Sequence, residues 1–301
     1  MATPLHWREY LMEVAGLGLF MVSAAMMSSL LEHPASPVQA LVPDPTMRRA
    51  AMGVAMGTTA AALIYSPWGR RSGAHNNPAV TLTFFRLGKI SGRDALAYVA
   101  AQFVGGAAGI AIAAMLLQPW IAHPSVNYVA TVPGPHGPAI AFAAEVGISF
   151  VMMLVVLIAS NHARAARFTG LFAALLVACF ITVEAPLSGM SMNPARTLGP
   201  DLVAEMFRGV WIYFVAPPLG MLAAAEVVSR MRHRVSIRCA KLYHDSGPCI
   251  FGCGARAATE ATETAESSHT EAQGSQRAAA VPRWRGRDRA ETEITSAFRA
   301  S

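Results

Sequence analysis

Two tripeptides, Asn77-Pro78-Ala79 and Asn193-Pro194-Ala195, offer the same chemistry twice in one chain. Asn is a good helix N-cap, and proline suits the first helical position because its missing N–H would be unpaired there. Each tripeptide therefore reads as the start of a helix, with the positive end of the helix dipole at the Asn. Two such ends facing one point would repel a cation. They would hold a neutral, oxygen-bearing molecule through the amides of Asn77 and Asn193. A water accepting both bonds could not also relay a proton along a hydrogen-bonded file. Arg196, three residues after the second Asn, is a charge where the membrane makes charge expensive, and such a charge is functional by default. One such tripeptide is weak evidence. Two, 116 residues apart and in matching surroundings, are strong.

The elements that would position them are apolar spans. Six stretches are long enough to approach the roughly 20 residues that cross a bilayer, near 10–31, 50–68, 95–117, 139–160, 168–183 and 209–229. Two further apolar stretches, 77–86 and 193–203, are too short to cross and open with the tripeptides. Glu13 lies in the first span and Glu145 in the fourth, so each half reads span with Glu, span, Asn-Pro-Ala, span. Three spans per half start the second half on the other side of the membrane. The repeats, about 5–117 and 139–230, are therefore inverted, and their interface near the midplane is where a site is expected. The expected fold is an all-α membrane protein with six transmembrane helices and two half-helices.

Charge supports this reading. The 301 residues include 24 Lys+Arg and 18 Asp+Glu, only 14% charged, against 53% hydrophobic. Residues 230–301 hold 20 of those 42 charges, leaving residues 1–229 too poor in charge to dissolve as a soluble domain. Most soluble enzymes are excluded. The net charge of +6 follows membrane topology rather than a nucleic-acid patch. Twenty basic residues fall on the side of the N-terminus and three (Arg48, Arg49, Arg208) on the other, leaving Arg196 inside. Both termini are expected to be cytoplasmic, in a cell membrane.

The chain resembles the aquaporin (major intrinsic protein) superfamily over roughly residues 8–232. The resemblance rests on Ser72-Gly73-Ala74-His75-Asn76-Asn77-Pro78-Ala79-Val80-Thr81 and Ser188-Gly189-Met190-Ser191-Met192-Asn193-Pro194-Ala195-Arg196, with Glu13, Gly16, the run Tyr98 to Gly106, Pro217 and Gly220 in support. The run from Ser188 to Pro200 is most similar to the nodulin-like intrinsic proteins and their bacterial relatives, a group associated with glycerol, urea, ammonia and metalloid hydroxides. The resemblance implies a homotetramer with one pore per subunit, open to water and small neutral solutes and needing no cofactor. It implies that Asn77 and Asn193 are the central pore asparagines. It also implies that Arg196, Gly57, Ile181 and Met190 form the outer constriction, the last three by gapless counting from the motifs. Asn76 stands where the family usually has an apolar residue.

Other polar residues have competing readings. Glu13 and Glu145 are either proton-coupling carboxylates, which would make a secondary transporter, or structural acceptors for bare loop backbone. His75 is either a pH gate or a structural residue of the pore mouth. Cys239, His244, Cys249 and Cys253 have ligand-like types, but their spacings x4, x4 and x3 miss the Cys-x2-Cys of common zinc sites, so no metal is expected. The channel domain is expected over 1–232, and residues 233–301 as a disordered cytoplasmic tail.

Overall fold

The computed structural model describes residues 5–231, 235–244, 249–251 and 253, and those residues fold as helices and connecting loops with no strand. Six long helices follow the six apolar spans: α1 (Trp7–Glu32), α3 (Pro45–Tyr65), α6 (Gly92–Leu117), α7 (Pro138–Asn161), α8 (Thr169–Val183) and α11 (Val210–Arg230). Between them lie α2 (Pro37–Leu41), α4 (Pro67–Ser72), α5 (Pro78–Arg86), α9 (Ala185–Ser188) and α10 (Pro194–Val203). Five of the six spans, α8 together with the turn before it, reach a mean hydropathy of 1.5 to 2.4. The less apolar sixth, α3, begins with Arg48 and Arg49 near its start. Exposed Leu96, Val104, Ile112, Leu175 and Leu219 point outward from these helices. Lipid, unlike water, covers such a surface at no cost.

Local sequence explains the helix starts. Asp44, Ser66 and Ser91 cap α3, α4 and α6 with side-chain acceptors, and Pro45 and Pro67 follow directly. Asn77 and Asn193 do the same for α5 and α10. Each cap meets donors that a helix cannot satisfy internally.

The packing repeats between halves. Helix α1 lies along α6, and α7 along α11; α3 meets α8 across the two halves. Each half-helix crosses over, α5 onto α11 and α10 onto α6, as well as onto the third span of its own half. Small residues permit the close pairs. A Cβ on Gly105 would come 2.5 Å from the Val14 carbonyl oxygen, and one on Gly220 would run into that of Val146.

Residues 235–253 correct one expectation. The tail was expected to be free from residue 233 onward. Its described part packs on the helical bundle instead, with Ala240, Lys241, Leu242 and Phe251 all buried. The Leu242 N–H donates to the Gly73 carbonyl at 3.1 Å, and the Arg238 N–H to Asn161 Oδ1 at 2.7 Å. Apolar Leu242 and Phe251 lie too close to the last span for composition alone to show that they return to it. The rest of the expected disordered tail, residues 254–301, lies outside the described residues.

Candidate functional site: a lumen between two half-helices

The two half-helix N-termini are built on the same plan. Asn77 Oδ1 accepts from the Ala79 N–H at 2.8 Å; Asn193 Oδ1 accepts from those of Ala195 and Arg196 at 3.0 and 3.2 Å. With its oxygen turned to its own helix, each carboxamide directs its NH₂ away from it. Asn77 Nδ2 donates to the Met192 carbonyl at 2.7 Å, and Asn193 Nδ2 to the Asn76 carbonyl at 2.8 Å. Each half thus holds the residue just before the other's asparagine. An NH₂ has two hydrogens, so each asparagine retains one donor beyond this cross-brace.

The loops leading in are strained and are held by carboxylates. Gly73 and Gly189 adopt φ of 91° and 83°, which suits glycine. Ala74 and Asn76 in one loop, and Met190 and Met192 in the other, also have positive φ, between 45° and 54°. That backbone is unfavourable for residues with a Cβ and persists only where its surroundings enforce it. Glu13 supplies the enforcement in the first loop. Its Oε1 accepts from Ser72 Oγ at 2.8 Å and the His75 N–H at 3.1 Å; its Oε2 accepts from the Asn76 N–H at 2.6 Å and Gln102 Nε2 at 2.8 Å. Glu145 repeats the pattern, accepting from Ser188 Oγ at 2.8 Å, the Ser191 N–H at 2.7 Å and the Met192 N–H at 2.8 Å. Both carboxylates are fully buried. Tyr98 and Tyr213 complete the match by donating their hydroxyls to the Ser72 and Ser188 carbonyls.

A cavity of about 370 Å³ runs between the half-helices. Glu32 and Arg49 line one end, His75 and Leu242 the other, and Asn76, Asn77 and Asn193 the part between. Ile181, Met190 and Arg196 also line it. Arg196 keeps Nη1 buried with no hydrogen-bond partner among the described residues. An unpaired guanidinium N–H beside a lumen is a donor available to whatever enters.

Gly57 is not part of this wall. Its Cα faces α8, where an added Cβ would run into the Ala174 carbonyl oxygen and lie 3.5 Å from the Ala178 Cβ. Gapless counting placed it one face away, because a single residue turns about 100° on a helix. Met52 and Met56 line the cavity from α3 instead. Gly57→Leu should therefore act through packing. Forcing a side chain against a neighbouring backbone costs about 1–3 kcal/mol, to be read as a lowered unfolding temperature in detergent. The water-to-glycerol permeability ratio of the surviving channels should stay unchanged, and a changed ratio at normal stability would return Gly57 to the lumen.

His75 sits at the opposite end, buried between rings. Phe84 and Phe251 stack on its two sides with centroids at 5.1 and 5.6 Å. Nε2 lies 2.8 Å from the Ala240 carbonyl and so carries the proton; Nδ1 then accepts from Thr81 Oγ1 at 3.0 Å. Both ring nitrogens are thereby occupied in the neutral form. Cys239, His244, Cys249 and Cys253, which linear spacing argued against as a group, are brought together with donor atoms all within 4.8 Å of one another.

Some partners escaped the sequence reading. Thr81 and Thr197 lie four residues after each asparagine, and each bonds the residue two before it, His75 and Ser191. Their identical offset was a readable signal. Gln102, Met56 and Leu242 had none, since nothing local marks their partners.

Comparison with known proteins agrees with this geometry. The family model described as "Major intrinsic protein" matches residues 1–227. Aquaporin NIP2-3 of Zea mays is 33% identical over 228 residues, 75% of this chain and 73% of that one. Aquaporin NIP1-1 of Arabidopsis thaliana is 35% identical over 187 residues, covering 60% of this chain and 62% of that one. The chain thus spans less than two thirds of the Arabidopsis relatives' own length. The X-ray structure of the aquaglyceroporin from Plasmodium falciparum has the same fold, with a TM-score of 0.62 at 19% identity, over 75% of this chain and 96% of that one. With the inverted repeat, the paired asparagine caps and this match in view, the chain belongs to the major intrinsic protein family.

Proposed function

We propose that the protein is a passive channel for water and small uncharged solutes, with glycerol, urea, ammonia and metalloid hydroxides as the candidate larger permeants. The carrying observation is the reciprocal pair of asparagine caps, Asn77 to the Met192 carbonyl and Asn193 to the Asn76 carbonyl, inside one elongated cavity. Each asparagine offers its remaining donor to a passing oxygen, and two helix N-termini raise the local potential against cations and protons. Arg196, with Ile181 and Met190, forms the narrow filter on the Arg49 side. The relatives that share the family are themselves called aquaporins, which supports the same chemistry here.

The channel sits in the cell membrane as a homotetramer with both termini in the cytoplasm. That orientation places Arg48, Arg49 and Arg208 outside and the basic residues of the other loops inside. The structure of Glu13 argues against proton coupling. All four of its lone-pair positions are already taken by donors. It cannot load a proton without releasing the loop that it holds.

Stopped-flow measurements on one proteoliposome preparation test this reading, with water, glycerol, urea and an uncharged metalloid acid in turn. Water or one of these solutes should equilibrate on the order of tenfold faster than in empty vesicles, with no dependence on an imposed proton gradient. Rates equal to empty vesicles for all four would refute conduction. Flux that follows the proton gradient would refute passivity.

A further inference from the structure

The segment after the last span ends in a cluster that conduction does not use. Cys239 Sγ and Cys249 Sγ are 3.5 Å apart, and His244 Nε2 is 2.8 Å from Cys253 Sγ. All four donor atoms lie within 4.8 Å of one another, with Cys239 buried and the others half-buried. Three thiols and one imidazole are a donor set that soft or borderline d¹⁰ ions prefer. In a tetrahedral zinc site, bond lengths of about 2.3 Å to sulfur and 2.0 Å to nitrogen separate neighbouring donors by about 3.5–3.8 Å. The Cys239–Cys249 pair is already near that separation, and the His244–Cys253 pair needs to open by under about 1 Å.

The same segment also reaches one end of the lumen. Leu242 lines the cavity itself. Ala240 receives the His75 hydrogen bond and Phe251 stacks on the His75 ring. Tyr243 packs edge-on against Tyr65 at 5.2 Å, under the Arg70 guanidinium at 5.0 Å. The described residues of 235–253 form neither helix nor strand, so no backbone ladder fixes the shape of those residues. A cross-link joining its beginning (Cys239), middle (His244) and end (Cys249, Cys253) would supply that rigidity.

We propose that Cys239, His244, Cys249 and Cys253 bind one divalent ion of the zinc class, and that the bound ion holds Ala240, Leu242 and Phe251 as a cap across the channel mouth beside His75. Binding displaces the three thiol protons to solvent and leaves a thiolate set around the ion. Loss of the ion frees the cap, withdraws Leu242 from the lumen and opens the mouth. The capping half of this proposal rests on the channel reading above; the metal half does not.

The test separates the two. Full-length chain, purified under reducing conditions and incubated with Zn²⁺ or Co²⁺ alone, should retain about one ion per chain after desalting. The cobalt form should show thiolate charge-transfer and tetrahedral ligand-field absorption. The Cys249→Ser/Cys253→Ser double variant should lose retained metal about tenfold or more, whereas Cys179→Ser, on the exposed face of α8, should retain it. Retention unaffected by the double substitution, no tetrahedral cobalt spectrum, or a Cys239–Cys249 disulfide in place of metal would each overturn the site. In proteoliposomes, stripping zinc with a chelator should raise water flux several-fold, on the order of threefold to tenfold. The double variant should start at the stripped rate and ignore zinc. Equal flux in loaded and stripped forms overturns the cap while the stoichiometry still upholds the metal site. No flux in either form refutes the channel reading itself.

Discussion

Replacing Glu13 with Ala is expected to abolish the assembled channel rather than tune it. Four donors converge on that carboxylate: Ser72 Oγ, the His75 and Asn76 N–H groups and Gln102 Nε2. Glu13 is wholly buried, so truncation leaves these donors facing a void closed off from bulk water. Each buried donor left unsatisfied costs about 1–3 kcal/mol, and four together approach the whole stability of a typical domain. The loss falls where the backbone is already strained, at Ala74 and Asn76 with φ of 54° and 45°. The Asn76 carbonyl would then move off Asn193 Nδ2, and the second half would lose its brace as well. Glu13→Gln is expected to be milder but still damaging, because its NH₂ must face a donor in a site built for acceptors. Thermal unfolding in detergent and yield of folded protein check this. An Ala variant with normal stability and normal flux would show that the loop holds its own shape.

Arg196→Ala should change what passes rather than whether the protein folds. The side chain lines the cavity with Nη1 unpaired, and no described hydrogen bond from the guanidinium is lost on truncation. The charge matters more. A unit charge at about 4 Å in an effective dielectric near 20 opposes a passing cation by about 4 kcal/mol. The two half-helix N-termini remain in the variant, so only part of the barrier falls. Proton or small-cation leak is expected to rise by roughly one to two orders of magnitude, and the glycerol-to-water permeability ratio should rise with the widened bore. Vesicles loaded with a pH-sensitive dye and tested in a proton gradient read the first effect. Light-scattering permeability reads the second. Wild-type values for both would remove Arg196 from the filter.

The difference between these two variants follows from where each residue could be read. Spans, half-helices and the inverted repeat were legible because membrane length, apolar composition and Pro-started, Asn-capped helices are local properties. The two asparagines and the paired glutamates came out of the same reading, since duplication in the chain marked them twice; Arg196, whose counterpart is Val80, stood out instead as the one basic residue inside the membrane. Gly57 did not. Counting along the chain fixes distance from a motif, but the face that a helical residue presents depends on which neighbour its helix packs against. Here α8 claims the Gly53 and Gly57 face, leaving Met52 and Met56 to the lumen.

The Cys/His group shows the same limit in the opposite direction. Its spacings x4, x4 and x3 gave no motif, because linear motifs register only ligands set by one tight turn. The fold nevertheless brings the four scattered donors within 4.8 Å of one another. By itself, then, the sequence determined the element order, the repeat, and the residues whose roles are written by their immediate neighbours. Tertiary structure alone decided which helix faces look inward, that the asparagines brace each other, and that Ala240, Leu242 and Phe251 return to pack beside His75. Those outcomes depend on contacts between residues far apart in the chain, and local pattern holds no record of such contacts.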